Sequence, residues 1–141
     1  LGKRTVENAP TIAVQTVDGK EVALDLRQGP VLFVAYWCPH CEHFLVTAKE
    51  LGLEQLPAVV SIWPRQGDAL EDVVRETKAK LERTGWGGAP FYVMMESTPS
   101  YVQGTPALAW WDEAKGAIEI ENPLTMEIER IRSLIMPRRV K

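Results

Sequence analysis

Both cysteines of the chain fall in one short stretch, Trp37-Cys38-Pro39-His40-Cys41, three positions apart. The nucleophile in thiol–disulfide exchange is the thiolate, and a free cysteine at neutral pH is mostly thiol. Apolar residues run up to this stretch and Pro39 suits the first position of a helix, so the sequence predicts Cys38 at a helix N-cap. There, unpaired backbone N–H groups and the helix dipole stabilise an anion. His40 falls in the same first turn and, when protonated, places a positive charge near the sulfur. Settings of this kind bring cysteine pKa values to about 3.5–7.5, from ~8.5 for a free thiol. Cys41 lies one turn further along the same face, at the start of an apolar stripe. The spacing therefore separates two roles: attack by Cys38, exposed at the helix start, and displacement of the captured group by the more buried Cys41.

Other uses of the pair fit less well. Two cysteines so close in sequence close a tiny loop that restrains the unfolded chain little. Secreted domains held by disulfides usually carry four or more cysteines. A metal site is a sharper rival, since Cys38, His40, Cys41 and His43 lie within six residues. Zinc sites of four protein ligands usually draw a second pair from elsewhere, and the chain has no further Cys or His. One helical turn also cannot wrap those four side chains tetrahedrally without distortion. No metal and no cofactor is expected, and His43 reads as helix surface.

The elements that must position the pair are legible on either side. "GPVLFVAYW" is a continuous apolar run rich in β-branched and aromatic residues, as expected of a central strand buried on both faces. After Cys38, the residues Cys41, Phe44, Leu45, Ala48 and Leu51 recur at helical spacing, and Gly52 suits the left-handed stop. Upstream, "TIAVQTV", Asp-Gly and "KEVAL" read as a β-hairpin with a tight turn. Downstream, "PAVVSIW" is a second buried strand. Asp68 with Glu71 looks like a capping box, opening a helix with Leu70, Val73, Val74, Thr77 and Leu81 on one face and an end near Gly85. "APFYVMM" reads as a further strand, and "TPALAWWD" and "AIEIE" as an antiparallel pair. A last helix carries Ile128, Ile131 and Ile135 and stops at Pro137. Trp110 and Trp111 should point to opposite faces of their strand, and Trp86-Gly87-Gly88 reads as a helix-to-strand connection. The order β-β-β-α-β-α-β-β-β-α is an α/β architecture with a mixed sheet.

The totals agree. The chain has 141 residues, 45% hydrophobic and 25% charged, which suits a single domain spanning residues 1–141. A net charge of −3 with mixed signs argues against a nucleic-acid partner, and the short basic tail "PRRVK" reads as a solvated terminus. No apolar run reaches the roughly 18 residues of a membrane span. The chain begins at Leu1 rather than Met, so a processed or trimmed chain is expected, from which a signal peptide or anchor could have been removed.

One more stretch bears on the cysteines: "VQGTPALAWWD", in which Thr105-Pro106 precedes an apolar strand. With W-C-P-H-C ending a buried strand and G-T-P before a later one, an αβα succession between them and a C-terminal helix, nearly the whole chain resembles the thioredoxin superfamily. The resemblance implies a thioredoxin-like fold with an N-terminal β-hairpin, and an enzyme that exchanges disulfides with the cysteine pairs of client proteins. It implies that Pro106 is cis and lies against Cys38 and Cys41, keeping adventitious metal away. It implies too that the Thr105 backbone receives an extended client segment, with Trp37 as the active-site tryptophan. The length between Cys41 and Pro106 leaves room for an added helix–strand unit, as in the extracytoplasmic TlpA-like members. Pro39-His40 is the dipeptide of the bacterial oxidase DsbA, but no helical insertion or dimerisation domain is present. A small monomer is expected, working outside the cytoplasm and recycled by a membrane redox partner. Two features depart from thioredoxin. Leu32 stands where thioredoxins carry a buried acid, and "AVVSIW" lacks their lysine, so the proton acceptor for Cys41 is left unassigned.

A stabilised Cys38 thiolate favours the reduced form and makes the disulfide a stronger oxidant, so the sequence leans toward an oxidase. A reductase of the TlpA type is the alternative, and a redox-inert or metal-carrying binding module is the alternative of another class.

Overall fold

A computed structural model describes residues 2–135; the Pro137 stop and the basic tail lie outside the described residues. Along the chain run β1 (Arg4–Val6), β2 (Thr11–Gln15), β3 (Glu21–Asp25), β4 (Val31–Val34), α1 (Pro39–Glu50), β5 (Ala58–Ser61), α2 (Leu70–Arg83), β6 (Phe91–Val93), β7 (Ala107–Asp112), β8 (Ala117–Glu121) and α3 (Ile128–Ile135), with a 3-10 turn at Pro123–Thr125 before the last helix. The strands form one sheet in the order β1-β8-β7-β4-β5-β6-β2-β3.

The apolar run before Cys38 occupies the middle of that sheet as β4, parallel to β5 and antiparallel to β7. All four of its residues are buried, as a strand covered on both faces requires. Leu32 and Val34 face the stripe of α1, Leu81 of α2 and Ile131 of α3, whereas Val31 and Phe33 face a second cluster with Ile12, Val14, Tyr101 and Val102. Helical residues enter the first cluster only. The stretch between Cys41 and Pro106 folds as β5, α2 and β6, with β4, β5 and β6 parallel. Parallel neighbours need such crossovers, and here they are helical.

Four expectations are corrected in detail. The hairpin of β2 and β3 is joined by residues 16–20, in which the Gly19 N–H donates to the Thr16 carbonyl and the Thr16 N–H to the Lys20 carbonyl. Only Gly19 of the Asp-Gly pair has positive φ, at 91°, so the turn is longer than a two-residue Asp-Gly turn. Leu51 is exposed rather than part of the buried stripe, because it is the C-cap of α1, where Gly52 turns the chain with φ 88°. The capping box of α2 is displaced by one residue: Ala69 is the N-cap and its N–H donates to Asp72. Asp68 is drawn instead to Tyr36 and the Arg65 N–H. Finally, β1 adds an edge strand paired with β8, too short for its alternation to be seen in sequence.

Candidate active site

Where β4 ends, the chain turns through Ala35 and the Cys38 N–H donates to the Ala35 carbonyl (3.1 Å). This places Cys38 at the N-cap of α1 in extended backbone, with Pro39 in the first turn. The Cys41 N–H, unpaired in a bare helix end, donates to Cys38 Sγ at 3.4 Å. From the other side comes the loop before β7, where the Thr105–Pro106 peptide is cis and the Cys38 thiol donates to the Thr105 carbonyl (3.6 Å). The fold thus gathers Cys38, Cys41 and Thr105-Pro106, separated by 67 positions between Cys38 and Thr105.

Both sulfurs are free thiols, but their surroundings drive them apart. Burial pushes Cys38 up, yet the Thr105 side chain, the Cys41 thiol and the backbone N–H groups of Cys41 and His40 outweigh it and hold Cys38 below an ordinary thiol. Burial dominates at Cys41, which is pushed up to about 12. Cys38 is 4% exposed and Cys41 0%. Cys41 is the more covered of the two, as expected, but Cys38 is nearly covered rather than open, with the Thr105 loop against it.

Pro39 and His40 are exposed at the helix start. His40 acts on Cys38 through its backbone N–H, and its imidazole is not among the leading influences on that sulfur. His43 is exposed one turn on. Among the described residues no group of three or more His, Cys, Asp or Glu is placed to hold a metal ion.

Trp37 presents 39% of its surface beside Cys38. Its indole N–H donates to the Trp63 carbonyl (2.8 Å), and the Arg65 guanidinium lies 5.8 Å from the ring centre. Trp63 has φ 55°, a left-handed conformation that costs a bulky residue about 1–3 kcal/mol. The strain is held by its surroundings: Asp68 accepts from the Tyr36 hydroxyl (2.6 Å) and from the Arg65 N–H (2.8 Å). The 63–68 loop is thereby fastened to the residues just before Cys38. Beyond Thr105 and Pro106, a cleft continues past Gln103 and Arg4 to Asn122.

Lys80 was not anticipated. From α2 its ammonium reaches under the turn, 2% exposed, and donates to the carbonyls of Tyr36 (3.0 Å) and Cys38 (2.9 Å). Glu42 lies 3.7 Å from it and is held by Arg83 at 2.9 Å. The signal was in the spacing. Position 80 is seven residues after Val73 and three after Thr77, on the face that the apolar residues of α2 define.

The remaining aromatics serve the core. Trp110 and Trp111 pack in the two different clusters. Trp86 donates to the Leu45 carbonyl and lies under Lys49, away from the cysteines toward the C-terminal part of α1.

No family model matches the chain, and no curated protein matches its sequence. Solved structures do match its fold. A protein disulfide isomerase candidate from Bacteroides thetaiotaomicron aligns with TM-score 0.56 and 21% identity, over 96% of this chain and 93% of that one. The MTB dsbF structure, in mixed oxidised and reduced forms, aligns with TM-score 0.57 and 16% identity over 91% and 96%. A candidate thiol:disulfide interchange protein DsbE from Chlorobium tepidum aligns with TM-score 0.54 and 18% identity over 93% and 96%. The fold is thioredoxin-like.

Proposed function

We propose that the chain is a thiol–disulfide oxidoreductase that exchanges a Cys38–Cys41 disulfide with cysteine pairs in client proteins, and that it leans toward donating the disulfide. The observation that carries this reading is the geometry of the pair: Cys38 at the N-cap of α1, its sulfur accepting the Cys41 N–H and donating to the Thr105 carbonyl beside the cis Pro106 peptide, with Cys41 buried three residues on. Names of structural neighbours agree with the chemistry, and at 16–21% identity they speak to fold alone.

In the oxidising direction a client thiolate attacks Cys38 Sγ. The Cys38–Cys41 bond breaks, a mixed disulfide forms, and Cys41 leaves and takes up a proton, as its raised pKa favours. The client's second thiolate then attacks its own partner sulfur and releases Cys38 as a thiolate. Two electrons have passed from client to protein. In the reverse direction the Cys38 thiolate attacks a client disulfide, and Cys41 resolves the mixed species. Trp37 and the Thr105–Pro106 backbone would receive the client segment around its cysteine.

A stabilised Cys38 thiolate lowers the free energy of the reduced form and leaves the disulfide unaffected, so the potential rises. The setting we assign is extracytoplasmic, where disulfides persist, with the chain a monomer returned to its working state by a membrane redox partner. Among the described residues no helix is long and apolar enough to cross a membrane.

Equilibration with glutathione buffers tests the direction. A potential above the roughly −270 mV of thioredoxin is expected, and a value at or below it would reverse the assignment to a reductase. Insulin reduction tests the activity itself: turnover should vanish in Cys38→Ser, and turnover that survives in that variant would leave no exchange enzyme to discuss.

A further inference from the structure

Lys80 has no part in the exchange written above, yet it is the most conspicuous charge near it. A lysine is almost never fully buried unless it is paired, and taking an ammonium out of water costs several kcal/mol. The partners of Lys80 are mostly neutral: the carbonyls of Tyr36 and Cys38 take its two hydrogen bonds, at 3.0 and 2.9 Å. The nearest carboxylate, Glu42 on α1, stands 3.7 Å away as a loose ion pair. Glu42 is also committed to Arg83, which donates to it from Nε (3.1 Å) and Nη2 (2.9 Å). Burial pushes Lys80 down, while Cys41, Glu42 and Cys38 act to hold its proton and Arg83 acts against it. The ammonium therefore sits on the carbonyl of Cys38 itself, and its nearest carboxylate is shared with Arg83.

We propose that Lys80 is a positioning residue for the redox pair: fastened to the carbonyls of Tyr36 and Cys38, its charge sets the thiolate–thiol balance of Cys38 and thereby the redox poise, with Glu42 as the opposing charge. The inference rests on the exchange reading above. Reduction of the Cys38–Cys41 disulfide takes two electrons and, with Cys38 left as a thiolate, one proton, which goes to Cys41. A cation beside that product stabilises the anion and does nothing for the neutral disulfide. Lys80 also joins α2 to the backbone on both sides of Trp37, so it fixes where Cys38 presents its sulfur.

The test uses two substitutions with opposite expected signs. In Lys80→Met, the thiolate-to-thiol ratio of Cys38 at a fixed pH should fall about tenfold, read by ultraviolet thiolate absorbance or by the pH dependence of alkylation. The disulfide equilibrium with glutathione should fall by a similar factor, about 30 mV for a two-electron couple. In Glu42→Gln, removal of the opposing charge should raise both quantities, by about threefold because that carboxylate is partly screened by water. A structural defect would not shift two variants in opposite directions. Should Lys80→Met fail to fold, Glu42→Gln decides alone, since its side chain is partly exposed and touches no backbone group at the site. A rise supports the proposal; no change, or a fall, overturns it. If Cys38 of the unaltered protein titrates as an ordinary thiol, the exchange reading falls as well. An acidic Cys38 unmoved by either substitution overturns the Lys80 assignment alone.

Discussion

Lys80 and Glu119 are both ionisable side chains with almost no exposed surface, and their surroundings are opposites. Glu119, on β8, meets the ammonium of Lys115 at 2.9 Å, that of Lys3 at 3.3 Å and the hydroxyl of Thr5 at 2.8 Å. Burial pushes its carboxyl up, but Lys115, Thr5 and Lys3 outweigh it and hold the group below the usual carboxylate range. Two cations and a hydroxyl close around one anion, tying β1 and the turn after β7 to β8. Lys80 receives two neutral carbonyls and a carboxylate already bonded to Arg83. Breaking a cluster such as that of Glu119 is costly because it leaves buried charges unpaired. A buried charge left open toward reactive atoms can tune them at the same cost in desolvation.

The largest expected effect separates these two roles. Glu119→Ala removes the anion that gathers Lys3, Thr5 and Lys115, and should destabilise the fold by about 1–3 kcal/mol in urea unfolding. The thiolate ratio of Cys38 and the turnover per folded molecule should stay unchanged, because Glu119 sits on β8, between β1 and β7, and its partners Lys3, Thr5 and Lys115 are remote from both sulfurs. Lys80→Met should move the sulfur titration instead. A shift of Cys38 in Glu119→Ala would mean that the two buried charges are not independent.

Acid should sharpen the same contrast, with a smaller effect. Because the folded carboxyl of Glu119 is held below its unfolded value of about 4.3, its contribution is present above that pH. It is lost as the pH falls through the folded value. Unfolding measured between about pH 6 and pH 3 should therefore lose less stability in Glu119→Ala than in the unaltered chain. Equal acid losses in both would show that the Glu119 cluster contributes nothing to the pH dependence.

How much of this was legible in the sequence depends on the range of each interaction. Cys38 at an N-cap, Pro39 in the first turn and Gly52 at the stop are local preferences, and local residues determine them. The central place of β4 could be read from its unbroken apolar run. Lys80 was missed because a lysine in a polar-looking helix reads as solvated surface, and its partners are backbone carbonyls 42 and 44 positions away, which no spacing rule reaches. Asp68 was assigned to a cap because local geometry favours that use, whereas the Tyr36 hydroxyl, 32 positions away, competed for it and won.

The smallest expected effect concerns which part of His40 acts on Cys38. The sequence points to the imidazole as a charge near the sulfur. In the structure that ring is exposed, where water and salt screen it, while the backbone N–H of His40 is among the groups that lower Cys38. His40→Ala keeps the N–H and discards the ring, so the thiolate ratio should change by less than about twofold. His40→Pro discards both and should lower the ratio by about threefold, the effect of one weak hydrogen bond lost from an anion. Proline is tolerated in the first turn of a helix, so the comparison is between folded proteins. If alanine alone reproduced the whole effect, the ring would be the lever. Cys38 would then owe less to the helix end than its geometry implies.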